Sequence, residues 1–171
     1  INGPDRQAAA MRVIQQVERT MERDTYERAL AGLRRLDQAL ERVPKVQELQ
    51  AYIIYANHLV VARFGADPAR TGRARQVLAQ LTAAEAPPNL RFLSLARAAE
   101  KFNNNDAREA LRLAKNDPAG RDLATMAAER LGDNEQWLRL AQQGRQRHAS
   151  PRSRYLLARA AEASGDHATA R

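Results

Sequence analysis

Apolar positions recur along this chain with helical spacing. Ala9, Val13, Ile14 and Val17 form one such set, and Leu30, Leu33, Leu36 and Leu40 a second. Between them stand Asp24 and Thr25, both good N-cap residues, with Glu27 three places after Asp24 as in a capping box. The second helix should stop near Val43, because Pro44 disfavours the helical conformation of the residue before it. A third helix, from about Lys45 to Phe64, carries Leu49, Tyr52, Ile53, Ala56 and Leu59. It includes the longest apolar stretch, Tyr52 to Ala62, which Asn57 and His58 interrupt and which is too short to cross a bilayer. Gly65 supplies a stop and Asp67-Pro68 a new start, and a fourth helix with Val77, Leu78 and Leu81 ends before Pro87-Pro88. Shorter helices follow at about 89–102, 106–115, 119–131, 133–147 and 151–164, and a tenth begins after Asp166. No segment alternates with period two for long enough to form a strand. Helices in tandem joined by short links fold back as antiparallel hairpins, so the expected fold class is all-α.

The punctuation itself repeats. Even-numbered helices start near Asp24, Asp67, Asp106, Asp133 and Asp166, the last two intervals being 27 and 33 residues. Three segments space small and turn residues by seven and then five positions: Ala98, Asn105 and Ala110; Thr125, Gly132 and Trp137; Ala158, Gly165 and Ala170. Small residues let two helices approach closely. The Gly or Asn takes the left-handed position that ends the first helix, and the Asp after it caps the second.

On these residues the chain resembles the tetratricopeptide repeat family. Tyr155-Leu156-Leu157-Ala158, Gly165-Asp166 and Ala170 match that family's small-residue, turn and alanine positions. The repeat around Gly132 departs from it at Trp137, where the family places alanine. Residues 87–171 carry the pattern; residues 1–86 share only the architecture, with longer helices, and neither His58 nor Arg70 keeps the spacing about Gly65. The resemblance implies one helical-repeat domain over residues 1–171, a right-handed superhelical α-solenoid of about five hairpins with a concave groove. It further implies that the first helix of each hairpin lines the groove. The matching positions are Phe92, Leu95, Ala99 and Phe102, then Asp122, Met126, Glu129 and Arg130, then Arg152, Tyr155 and Arg159. Such a groove would dock a protein or peptide, as in bacterial secretion, motility or exopolysaccharide-export assemblies.

Composition agrees with a helical reading. Of 171 residues, 34 are Ala and 25 Arg against only 3 Lys, and aromatics make up 5%. Ala, Leu and Arg are strong helix formers, and the scarcity of β-branched and aromatic residues argues against a sandwich or barrel. The bias toward Arg and Ala matches a high-GC bacterial genome. With 44% apolar and 28% charged residues the chain is not disordered by composition. It contains no Cys, which excludes disulfides and thiolate metal sites. It opens Ile1-Asn2-Gly3-Pro4 without Met or a signal pattern, and it ends at Arg171 soon after a helix start. We therefore expect a segment of a longer bacterial protein, with the periplasm preferred to the cytoplasm as its setting.

The net charge is +8, and its sharpest feature is local. From Gln136 to Ala161 there are six arginines (Arg139, Arg145, Arg147, Arg152, Arg154 and Arg159) and no acid. Such a run attracts anions or is neutralised by acids elsewhere. Arg152, Tyr155 and Arg159 fall three and four apart, so one helical face presents two guanidiniums beside a phenol, a site suited to a carboxylate or phosphate. The expected partner is an acidic protein or peptide, with an anionic polysaccharide as a further candidate. Nucleic acid is the alternative, but Tyr155 is the only aromatic interleaved with the run after Trp137. A structural arm of a larger enzyme or transporter is a third reading.

Catalytic chemistry is not visible. There is no glycine-rich phosphate loop, no Gly-Lys-Ser/Thr and no His-Glu-x-x-His. His58, His148 and His167 are scattered without metal-ligand spacing, and acids such as Asp117/Asp122 and Glu129/Asp133 sit where capping or ion pairing explains them. We expect no enzyme activity, no cofactor and no bound metal. Tyr52, Tyr55, Phe64, Phe92, Phe102 and Trp137 read either as hairpin core or as a peptide-binding stripe.

Overall fold

The computed structural model describes residues 3–165 and 167–170, the side chains of 167 and 168 excepted. Among them there is no strand. The helices are α1 (Gly3–Met21), α2 (Tyr26–Arg42), α3 (Gln47–Phe64), α4 (Pro68–Ala83), α5 (Arg91–Asn103), α6 (Ala107–Ala114), α7 (Arg121–Leu131), α8 (Asn134–Arg147), α9 (Pro151–Ala163) and α10 (His167–Ala170), with a single 3₁₀ turn at Pro118–Gly120 before α7. Sequence neighbours pack on each other: α1 with α2, α2 with α3, α3 with α4, α6 with α7, α7 with α8, α8 with α9 and α9 with α10. The all-α class is therefore as expected.

The chain divides into two compact units, residues 1–97 and 98–171, with the division inside α5. In the first unit α3 is the central element. Every residue from Leu49 to Val60 is buried, including Gln50, Asn57 and His58. A helix apolar on all sides must be surrounded, and α1, α2 and α4 all pack against α3. Gly32 on α2 sits where an added Cβ would lie 3.0 Å from Val17 Cγ1 on α1, so the two helices approach closely there. In the second unit α7 holds the equivalent place, with Leu123 to Ala128 buried and α6, α8 and α9 against it.

Local signals explain most boundaries. Asp67 caps α4 through Ala69 N and Arg70 N, with Pro68 in the first turn. Ser150 and Ser153 form a reciprocal capping box at the start of α9. Of the two candidate caps before α2, one serves. Thr25, not Asp24, accepts the bond from Arg28 N, because Asp24 takes a left-handed conformation (φ 55°) as the chain leaves α1. The α4–α5 link spans residues 84–90. There Glu85 adopts φ 51°, its N–H bonding Thr82 O and the N–H of Ala86 bonding Leu81 O.

The same closure recurs at the predicted turn residues. Asn105 (φ 64°) bonds Phe102 O while Asp106 N bonds Lys101 O, and Gly132 (φ 70°) bonds Glu129 O while Asp133 N bonds Ala128 O. Both are Schellman turns. The Asp then caps the next helix: Asp106 accepts from Glu109 N, and Asp133 from Gln136 N. Gly165 also has positive φ (77°), while Asp166, its expected capping partner, lies outside the described residues. An added Cβ at Gly132 would meet nothing within 4 Å, so the cost of a side chain there is backbone strain alone. Gly132→Val is expected to destabilise by more than ~1 kcal/mol in urea unfolding. A loss below ~0.5 kcal/mol would show that the turn tolerates a β-branched residue.

Candidate functional site

The arginine run lies on α8 and α9, which pack together and against α7. Its six members separate into two groups. Arg152 is buried, and its Nε donates to Asp122 Oδ1 on α7 at 3.1 Å while Nη2 lies 3.1 Å from Met126 Sδ. Arg159 donates to Glu129 Oε1 on α7 and, at 2.9 Å, to the Tyr155 hydroxyl. The bond to that hydroxyl, more than anything else, holds the Arg159 pKa above its ordinary value; burial opposes it, and the charge of Glu129 adds to the rise. The guanidinium carbons of Arg152 and Arg159 stand 5.8 and 5.7 Å from the Tyr155 ring centroid. The expected arrangement, two guanidiniums about a phenol, is present. The carboxylates that it engages belong to α7 of the same chain.

Both ion pairs span 30 residues, Asp122 to Arg152 and Glu129 to Arg159. A constant difference in residue number means that α7 and α9 run parallel, side by side and in register. Antiparallel neighbours would instead keep a constant sum. The first helices of successive hairpins stand in this relation.

Arg139, Arg145, Arg147 and Arg154 form the second group. Arg139, Arg147 and Arg154 are exposed and Arg145 is half-buried. Among the described residues no acid pairs with any of them.

The expected apolar part of the groove does not survive as an accessible lining. Phe92 and Leu95 are buried in the first unit, and Ala99, Phe102 and Met126 in the second. Phe92 lies edge-on to Tyr52 (4.8 Å between centroids) and stacks on Tyr55 (6.4 Å), which makes these three rings hairpin core. Burial also pushes the Tyr52 hydroxyl well above its ordinary pKa. Trp137 is buried as well, with no hydrogen-bond partner for its indole N–H among the described residues. Of the expected groove residues, Arg130, Tyr155 and Arg159 are exposed, while Asp122 and Glu129 are half-buried and already paired.

Arg130 does something the spacing alone did not reveal. Its guanidinium lies 3.7 Å from the Phe102 ring centroid, and Nη1 donates to Phe102 O at 2.8 Å near the end of α5. In the first unit Arg63 does the same for α1, donating to Met21 O at 2.9 Å. Each is the penultimate residue of its helix, α7 or α3. A cation there satisfies a terminal carbonyl of another helix and faces its negative end.

A second exposed feature belongs to the first unit. Tyr26 (43% exposed) stands edge-on to Phe64 (37%), 5.7 Å between centroids, and its hydroxyl donates to Asp67 Oδ2. That bond lowers the Asp67 pKa and raises that of Tyr26. Phe64 is thus the one aromatic of the expected stripe left partly open.

Among the described residues no cluster of three or more His, Asp or Glu side chains is placed to hold a metal ion, and no helix is long and apolar enough to cross a membrane. Comparisons of the chain with protein-family models, curated proteins and solved structures return no match.

Proposed function

We propose that this chain is a non-enzymatic protein-interaction scaffold of tetratricopeptide-like hairpins, serving a bacterial envelope assembly of the secretion, motility or exopolysaccharide-export kind. The finer architecture proposed with it is a right-handed stack of about five hairpins. The observation that carries the reading is the thirty-residue register of α7 and α9, ruled by the Asp122–Arg152 and Glu129–Arg159 pairs. Hairpins stacked in this way use their inner faces to hold one another and leave long rows of outward side chains for a partner. The recurrent turns at Asn105 and Gly132 add to it.

The test is direct. The purified chain, immobilised and nuclease-treated, is exposed to a bacterial envelope extract at about 150 mM salt, where weak surface electrostatics are screened. A protein recovered and then purified should bind the chain on its own in calorimetry. Retention of RNA or DNA alone, abolished by nuclease, would replace this reading with a nucleic-acid-binding one. Recovery of no macromolecule would overturn it.

A further inference from the structure

Resting on that scaffold reading, we propose that the α8–α9 corner, formed by Arg145, Arg147 and Arg154 with Arg139 two turns up α8, is a docking surface for an acidic, extended polypeptide segment. The structure consumes Arg152 and Arg159 internally, against Asp122 and Glu129. Nothing among the described residues does this for the other four, although the chain carries 20 acidic residues. Arg73–Asp37 and Arg112–Glu109 show that arginines elsewhere in the chain do find such partners.

Placement sharpens the point. Arg145 and Arg147 lie in the last turn of α8, where the helix dipole favours cations. Arg154 is the fourth residue of α9, close to the end where the dipole disfavours them, and the first turn of α9 holds no acid. Arg154 therefore gains nothing from the helix end it sits near, and an anion bound there would offset that. The turn between the helices is stiff. Ser150 N bonds His148 O, Ser153 Oγ also donates to His148 O, and Ser150 and Ser153 cap each other. A corner fixed in this way presents its guanidiniums with little ordering left to do on binding.

A polypeptide fits better than a nucleic acid. Tyr155, the exposed aromatic of α9, is already engaged within the chain: its hydroxyl is held by Arg159, and the guanidinium carbons of Arg152 and Arg159 lie 5.8 and 5.7 Å from its ring centroid, which leaves bases a poor stacking platform. Forked guanidiniums separated along two helices suit successive carboxylates on an extended strand.

The experiment uses the full chain and a fluorescent Glu/Asp peptide of about a dozen residues, followed by anisotropy at low and at physiological salt. The wild type should bind, and binding should weaken steeply as salt rises. Arg145→Ala/Arg147→Ala/Arg154→Ala should weaken it about tenfold or more, since several exposed pairs are lost together. Arg147→Glu/Arg154→Glu, which leaves half-buried Arg145 in place, should abolish it. The control removes the same charge from another face, Arg28→Ala/Arg34→Ala/Arg35→Ala on α2, all exposed, and should change affinity by less than about twofold. Equal losses in both triple variants would reduce the effect to net charge and overturn the proposal. So would an undetectable wild-type affinity, or tighter binding of an oligothymidylate of matched length through the same arginines. If the extract experiment returns a protein whose binding ignores these substitutions, the docking surface is wrong and the scaffold reading stands.

Discussion

Arg152→Ala should lower the stability of residues 98–171 by about 3–5 kcal/mol, the range for breaking a buried ion pair from one side. The side chains of Arg152 and Asp122 are only 8% and 14% exposed. Removing the guanidinium leaves a carboxylate shielded from water beside Met126, and it severs the lower of the two links between α7 and α9. The charge left behind, more than the bond lost, sets the size of the effect. Arg152→Met/Asp122→Leu, which removes both charges and fills the space, should therefore recover most of the loss. Arg159→Ala breaks the companion pair but should cost less than about 1 kcal/mol, because that guanidinium is 47% exposed and water can replace its partner. Trp137 is the only tryptophan and belongs to this unit, so urea unfolding followed by its fluorescence reports the difference. Similar losses for Arg152→Ala and Arg159→Ala would show that burial does not distinguish the two pairs.

Helix positions depend on short-range chemistry, so Pro44, Gly65, Asp67-Pro68 and Ser150-Pro151 marked them well, as did the turn residues Asn105 and Gly132. Errors came where a residue with no turn preference adopts a turn conformation. Glu85 is left-handed although nothing about Glu announces it; Asp24, a residue that tolerates the left-handed region, takes it and leaves the cap to Thr25. The division of the arginine run was hidden more deeply. Which arginines are spent depends on carboxylates 30 residues away, and helical periodicity within α9 says nothing about them. A signal did exist: Asp122 and Glu129 are seven apart, as are Arg152 and Arg159, so acids and bases face each other at one constant offset. The aromatics carried no comparable mark. A ring at a helix-face position has the same spacing whether it lines a groove or fills a core.

Phe92→Ala separates those two roles for the residue on which they conflict most. As groove lining, Phe92 could be truncated with binding lost and folding untouched. As packed here, it is 2% exposed and touches both Tyr52 and Tyr55 of the central helix α3. Truncation then removes most of a ring from a close-packed cluster and leaves a cavity that α3, buried along twelve residues, has little freedom to close. The expected loss is about 3–5 kcal/mol in residues 1–97, with Phe92→Leu losing less because it keeps more of the volume. Urea unfolding followed by circular dichroism gives the magnitude, and hydrogen exchange gives the place. Amides of α3 between Leu49 and Val60 should lose protection first, since they surround the missing ring. Unchanged protection there, together with a loss below about 1 kcal/mol, would return Phe92 to the surface and reopen the apolar groove. A large loss would fix Phe92 in the core of residues 1–97 and remove it from any docking surface.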